Sequence, residues 1–121
     1  MALTKEQAVK EHRKMWNWLA DKTLERRKKV TKENYFREEY RNKIRICNYC
    51  WCCEYDNHHN KIDDCNECPI EWDGTDKTKC MASSSSYNQW CKTSNDDYEI
   101  AAELARKIAN LPERIGGDQN E

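Results

Sequence analysis

The sequence has 121 residues, with 37% hydrophobic and 36% charged residues and a net charge of −1. This length favours one domain, and the composition is lean for a packed core. No apolar run approaches the roughly 20 residues that a membrane span needs, and the polar residues 1–7 lack the apolar region of a signal peptide. We therefore expect a cytoplasmic protein, in which cysteines stay reduced and metal binding is favoured over the alternative, a secreted domain with disulfides.

A capping box predicts the start of the first helix, because Gln7 follows Thr4 at the spacing that lets each side chain bond the other's free backbone N–H. Core positions then recur at the spacing of one helical face, so we expect a helix over residues 5–29. That face consists of Ala8, His12, Met15, Trp16, Leu19, Thr23 and Leu24. A basic run, Arg26, Arg27, Lys28 and Lys29, follows at the C-terminal end, where cations complement the helix dipole.

A second, shorter helix is expected over residues 32–42, with Thr31 as its cap. Its apolar stripe is Tyr35, Phe36 and Tyr40, and Arg37, Glu38, Glu39 and Arg41 face water. Residues 43–46 then alternate between charged and apolar side chains, which is typical of a short strand.

The stretch from Cys47 to Cys68 holds six of the eight cysteines. Two C-x-x-C pairs within it, Cys50 with Cys53 and Cys65 with Cys68, have the spacing of paired zinc knuckles. Four thiolates leave no open coordination position, so such a zinc is structural. We predict one zinc ion and leave open a second.

Four cysteines remain outside this ligand set. Cys47, Cys80 and Cys91 are candidate additional ligands, and plain buried thiols are the alternative. Cys52 is expected to matter less, because adjacent residues point in different directions and Cys53 is already assigned. Tyr87 and Trp90 are placed to cover the metal.

We expect the segment between Cys68 and Ser94 to be mostly loop. Its four consecutive serines, Ser83 to Ser86, are expected to form a solvated loop tip. A last helix is expected over residues 97–110, ended by Pro112. Its apolar stripe is Ala101, Leu104, Ala105, Ile108 and Leu111. We expect residues 116–121 to form a disordered tail.

Charge is distributed unevenly along the chain. Residues 1–46 carry 14 Lys and Arg against 7 Asp and Glu, whereas residues 47–97 carry 4 against 10. This segregation suggests a polar partner surface. The candidate partner-binding residues are Arg26, Arg27, Lys28 and Lys29 on the basic side and Asp63, Asp64 and Glu67 on the acidic side. A basic helix end of this kind is expected to tolerate charge reversal without loss of the fold, and the aromatic surface of Trp72, Tyr87 and Trp90 is the next candidate for recognition.

No catalytic motif accompanies the cysteines, so we expect a protein without enzymatic activity. His58, His59 and Asn60 invite comparison with His-Asn-His nucleases, but the eleven residues between the knuckles are too few for that family's strand and helix. The zinc-deaminase pattern is absent as well, because the chain has Cys68 before Pro69 and not the reverse order.

Three stretches resemble small, Cys-rich zinc-knuckle accessory proteins of bacteriophages and prophages of Gram-positive bacteria. They are residues 11–19, residues 50–55 together with 65–72, and residues 101–114. The resemblance implies a phage accessory protein made in the cytoplasm of the bacterial host, and it implies no particular activity. Cys47, Cys52, Cys91 and the serine run depart from the group's pattern.

These observations predict a mainly α protein with a small, irregular, zinc-ribbon-like knuckle core, in the order helix–helix–knuckles–helix. Residues 1–115 form one zinc-stabilised domain, with the knuckles and loops over residues 44–93. The expected function is stoichiometric binding of a host protein, with a defence nuclease such as a CRISPR effector as one target. The alternative is a zinc-dependent nucleic-acid-binding protein of phage replication or transcription.

Overall fold

A computed structural model describes residues 4–44, 49–52, 68–75 and 80–114. The described part is mainly helical, as predicted, with four helices: α1 (Lys5–Arg26), α2 (Lys32–Tyr40), α3 (Ser86–Lys92) and α4 (Tyr98–Ala109). Among these residues no helix is long and apolar enough to cross a membrane.

Both predicted threonine caps are present. Thr4 and Gln7 form a complete capping box at the start of α1, and Thr31 and Asn34 form another at the start of α2. Each box satisfies two backbone N–H groups that the first turn leaves without partners. The sequence therefore fixes where both helices begin.

The predicted ends of these helices were too late. Helix α1 ends at Arg26 and not at residue 29, because Arg27 adopts the left-handed conformation and donates its N–H to the Thr23 carbonyl. Helix α2 ends at Tyr40, where Arg41 makes the same kind of cap. Neither end carries the glycine that usually marks this conformation, so local sequence patterns do not indicate where these helices end.

Helices α1 and α4 lie side by side and antiparallel. Hydrogen bonds pair the start of α1 with the residues after α4, and its later turns with the middle of α4: Lys5 Nζ donates to the Arg114 carbonyl, Arg13 to the Leu111 carbonyl and Arg106 to Asn17. The predicted stripe of α4 is buried in this contact in full. Burial of this face is the main stabilising term for a helix of 12 residues.

Helix α2 packs against α1 through aromatic rings. The Tyr35 ring lies edge-on to Trp18 with centroids 5.2 Å apart, and Phe36 packs against Trp51 of the first cysteine segment. Leu24, predicted for the buried face of α1, is instead 49% exposed. It lies one turn beyond Ala20, which is still buried.

The segment predicted as loop between Cys68 and Ser94 contains helix α3. Ser85 caps it by accepting the Asn88 N–H at 3.0 Å, and Ser85 and Ser86 are fully buried. Ser83 and Ser84 are exposed, so the prediction of a solvated tip holds for the first half of the serine run only. Trp90 packs edge-on against Trp16 of α1 with centroids 4.9 Å apart. This tertiary contact stabilises a helix of 7 residues, which is too short to be stable by itself.

Residues 69–71, which follow Cys68, are hydrogen-bonded to the residues that follow α4. Ile70 and Glu113 form an isolated antiparallel bridge, Glu71 N–H donates to the Pro112 carbonyl at 2.9 Å and Arg114 N–H to the Pro69 carbonyl at 2.8 Å. The strand expected over residues 43–46 is not seen at Lys43 and Ile44, and the rest of it lies outside the described residues.

Candidate metal centre

Two of the four predicted zinc ligands belong to the described residues. Cys50 and Cys68 are both buried, on either side of the undescribed residues 53–67, and neither is in a disulfide. Cys53 and Cys65 lie outside the described residues, as do Cys47, His58 and His59. The structure thus brings the outer pair of the predicted set into the core.

Cys52, which the sequence analysis set aside, lies at the centre of this region. Its side chain is fully buried and hydrogen-bonded to the thiols of both Cys50 and Cys68. Burial, followed by these thiol contacts, raises the pKa of Cys52 well above its usual value. Adjacency to Cys53 does not reveal this burial, and the milder effect expected of a change at Cys52 stays a prediction.

His12 brings a fourth donor from α1. Its Nδ1 lies 3.5 Å from Cys52 Sγ, and its Nε2 lies 3.1 Å from the carbonyl oxygen of Ile108 in α4. The imidazole is 1% exposed, and burial is the main reason that its pKa is lower than usual. The contact between α1 and α4 thus places Nε2 beside a backbone carbonyl. Nδ1, on the other side of the ring, faces Cys52.

Cys68 receives hydrogen bonds from three directions. Cys52 donates to its sulfur, Trp72 Nε1–H donates at 3.3 Å, and the backbone N–H of Ile70 adds a third. The Cys52 bond comes first among the causes that lower the pKa of Cys68, with the Ile70 and Trp72 bonds adding to it. Donors aimed at a sulfur favour its thiolate, the form that binds metal.

Three thiols and one imidazole are a donor set that suits zinc. Within the described ranges, no group of three or more His, Cys, Asp or Glu side chains is arranged so that it could hold a metal ion. The four donors are instead joined through Cys52 by hydrogen bonds. These residue types are ones that zinc prefers, but among the described residues their arrangement is a hydrogen-bonded cluster around Cys52.

The other described cysteines lie near the Tyr87 hydroxyl. Lys32 Nζ donates to that hydroxyl at 2.6 Å. Burial is the main cause that raises the pKa of Tyr87, with Cys91, Cys50 and Cys80 adding to it. Cys80 is half-buried and Cys91 is exposed, so they are less enclosed than the thiols around Cys52.

Trp72, Tyr87 and Trp90, the aromatic residues singled out in the sequence, pack next to one another and to His12. Trp72 lies edge-on to the His12 ring with centroids 5.8 Å apart, and Tyr87 stacks on Trp90. Trp72 and Trp90 are buried, however, so they cannot form the exposed recognition surface that was the next candidate after the charged residues.

The four cations of the basic run differ in their contacts: among the described residues, two are bonded within the protein and two are not. Arg26 forms a bidentate ion pair with Glu38 of α2, and Lys29 turns inward to the carbonyl oxygens of Trp90 and Thr93. Arg27 and Lys28 remain exposed. The premise of an exposed helix end does not hold for Lys29, whose ammonium bonds two backbone carbonyls, so we expect charge reversal at Lys29 to disturb the fold. The acidic candidates Asp63, Asp64 and Glu67 lie outside the described residues.

Sequence reasoning missed His12 and Cys52 as site residues. His12 is the one imidazole on an otherwise apolar or small face, and that was the available signal. A scan against protein-family models finds no match for the chain, and searches of curated proteins and of solved structures find none either.

Proposed function

We propose that the protein is a non-catalytic binding protein, stabilised by a structural zinc ion, which associates stoichiometrically with a host protein in the bacterial cytoplasm. The observation that carries the proposal is the burial of Cys50, Cys52, Cys68 and His12 together. A metal enclosed by core side chains stabilises the fold, whereas a catalytic metal keeps a position open to substrate.

The composition supports the same role for the metal. With 37% hydrophobic residues and 121 residues in all, the chain has a lean core, and zinc binding contributes to folding on the order of 10 kcal/mol in small modules. The buried thiols belong to the same core cluster as the rings of Trp16 on α1, Phe36 on α2 and Trp90 on α3. A metal at this point would therefore tie the cysteine segments to three helices at once.

The end of α1 is the surface that we assign to the partner. Leu24 is half exposed, and Arg27 and Lys28 beside it are exposed. We call these three residues the α1-end surface. An apolar side chain flanked by cations suits an acidic protein surface, since apolar anchors supply affinity and charges supply orientation and encounter rate.

A defence nuclease of the host is the target class that we propose, on the basis of the resemblance to phage accessory proteins. A nucleic-acid target is less favoured, because Arg26 and Lys29 are engaged within the protein and the basic run presents two cations in place of four. Phosphate-backbone binding depends on the number of such cations.

The test is capture of the partner from nuclease-treated host lysate, followed by measurement of stoichiometry with the purified partner. We expect a saturable complex, weakened by Lys28→Glu and unaffected by Lys10→Glu, an equal charge reversal at another exposed position of α1. Equal binding by both variants would exclude the α1-end surface. Turnover of a substrate by sub-stoichiometric protein, or salt-sensitive binding to DNA or RNA alone, would contradict the proposal.

A further inference from the structure

The last turn of α2 is built around Phe36. The Arg41 N–H donates to the Phe36 carbonyl, and the Lys43 N–H donates to the Tyr40 carbonyl at 2.8 Å. The Phe36 ring stacks on Tyr40 with centroids 5.8 Å apart, and the Tyr49 ring lies 5.5 Å from Phe36. This turn thus brings Arg41, Lys43 and Tyr49 to one corner of the fold.

The backbone in this corner adopts an unfavourable conformation. Arg41 has a φ of 52°, Asn42 one of 58° and Tyr49 one of 50°, all in the left-handed region. Residues with a Cβ disfavour this region, asparagine less than the others, and an aromatic residue is rare in it. Strain of this kind persists where the surrounding packing enforces it, and it concentrates at binding sites. The conformations of Arg41 and Tyr49 therefore make this corner a candidate for recognition.

The exposed side chains in this corner are one aromatic ring and three cations. Tyr49 is 40% exposed although it packs against Phe36. The exposed cations are Arg37, Arg41 and Lys43. Within the described part of the chain, none of these three side chains forms an ion pair or a hydrogen bond. Their charge is therefore available to a partner.

The two carboxylates near the end of α2 are directed toward α1. Glu38 pairs with Arg26, and Glu39 accepts the Trp18 Nε1–H at 3.1 Å. These two acids are thus bonded to α1, whereas the neighbouring cations face solvent. The result is a locally basic surface on a protein whose net charge is −1.

We propose that Arg37, Arg41, Lys43 and Tyr49, which we call the α2-end surface, bind an acidic segment of a protein partner. Arginine pairs with a carboxylate through two parallel hydrogen bonds. Tyrosine and arginine are also among the residues that contribute most of the binding energy at protein interfaces. The inference rests on the protein partner of the proposed function, and it adds a second contact to the α1-end surface.

A protein segment fits the α2-end surface better than a nucleic acid does. Glu33 and Glu39 are exposed on the same helix as Arg37. A phosphate backbone carries only negative charge and is repelled by both carboxylates, whereas a protein can place a cation opposite each of them. Three cations are also few for binding to phosphates, because that affinity grows with the number of phosphates neutralised.

Photo-cross-linking tests the chemistry of the partner. The photoreactive residue p-benzoylphenylalanine in place of Tyr49 keeps an aromatic ring at the exposed position, and the purified variant is irradiated in host lysate. We expect mass spectrometry to identify host peptides with several Asp or Glu residues around the linked position, and Arg41→Glu to abolish the link. The same photoreactive residue in place of Ile100, which is 52% exposed on α4, is the control and should not link these peptides. Links to nucleic acid, to a second copy, to the protein's own chain or to peptides without acidic residues would overturn the inference, as would the absence of any link.

Binding of the partner purified by capture separates this inference from the proposed function. We expect Tyr49→Asn and Arg41→Glu each to weaken the complex roughly 10-fold or more. Asparagine tolerates the left-handed conformation, so the first variant removes the ring and keeps the backbone, which circular dichroism checks. Ile100→Asn, which removes an exposed apolar side chain from α4, is the control and should bind as the wild type does. A saturable complex that Lys28→Glu weakens and neither α2-end variant weakens would refute the α2-end surface and leave the proposed function in place. If no saturable complex forms, both are wrong.

Discussion

Lys29 Nζ lies 4.3 Å from the ring centroid of Trp90 and donates a 2.7 Å hydrogen bond to the carbonyl oxygen of the same residue. A second bond reaches the Thr93 carbonyl at 3.0 Å. Lys29 thus satisfies carbonyls at the C-terminal end of α3, where a cation is also favoured by the helix dipole. The Lys29 side chain thereby connects the loop after α1 with the end of α3.

Replacement of Lys29 should therefore destabilise the fold. We expect Lys29→Ala to lower the free energy of unfolding by about 1–3 kcal/mol, because it removes two charge-assisted hydrogen bonds and a cation–π contact. Lys28→Ala, at the exposed neighbouring position, should change it by no more than about 0.5 kcal/mol. Urea unfolding followed by circular dichroism measures both, and equal effects would show that Lys29 has no structural role.

Asp73 should make stability depend on acidic pH. Burial would raise the pKa of Asp73, but bonds from the Ser86 hydroxyl and backbone N–H, with Lys107 nearby, outweigh it, and the pKa is lowered. A carboxyl group with a lowered folded-state pKa stabilises the protein above its unfolded value, about 3.9, and this stabilisation is lost as the pH falls through the folded-state pKa.

The measurement compares wild type with Asp73→Asn as a function of pH. We expect a deficit of about 1 kcal/mol at neutral pH, since the carboxylate bonds the first turn of α3 much as a helix cap does. The deficit should shrink as the pH falls below about 3.9. Asp96→Asn, at an exposed position, is the control, and a deficit that does not vary with pH would rule out this account.

Gly74 should not tolerate a side chain. A Cβ placed there would lie 2.7 Å from the Ser83 carbonyl oxygen and 2.9 Å from the Ser85 backbone nitrogen. Both are backbone atoms of the turn over residues 82–85, and the Ser83 carbonyl already accepts the Thr75 N–H. We expect Gly74→Ala to destabilise the fold by about 1–3 kcal/mol. Ser83→Ala, an exposed change in the same turn, should be nearly neutral in thermal unfolding.

The thiols should differ in their contribution to metal-linked stability. Cys68→Ser should lose bound zinc and melt at a lower temperature, because metal binding in such small sites is part of the folding free energy. Cys91→Ser should keep both, since Cys91 is exposed and lies outside the contacts of Cys52. Elemental analysis together with thermal unfolding measures the two effects. Full zinc content in Cys68→Ser would exclude Cys68 as a ligand.

Local sequence patterns predicted the parts of the fold that depend on local physics. The Thr4 and Thr31 caps and the apolar stripe of α4 are present because hydrogen bonding and helical periodicity act over a few residues. Helix α3 escaped prediction, because packing of Trp90 against Trp16 holds it and that contact spans most of the chain. Leu24 was misassigned, since periodicity does not show where the covering helices stop.

The candidate site was only partly predictable for the same reason. The spacing of cysteines identified Cys50 and Cys68, and periodicity placed His12 on the buried face of α1. Neither pattern reveals which atoms a buried ring meets. The pairing of His12 with Ile108 and Cys52 depends on the antiparallel contact between α1 and α4, which no local motif encodes.

That antiparallel contact also has a consequence for biosynthesis. A ribosome that adds 5–20 residues per second takes roughly 4 to 14 s to make residues 27–97, which separate α1 from α4. Throughout that time the apolar face of the nascent α1 lacks the helix that covers it. The core can therefore close only after α4 has left the exit tunnel, and a chaperone that shields α1 in the interval should raise the yield of folded protein.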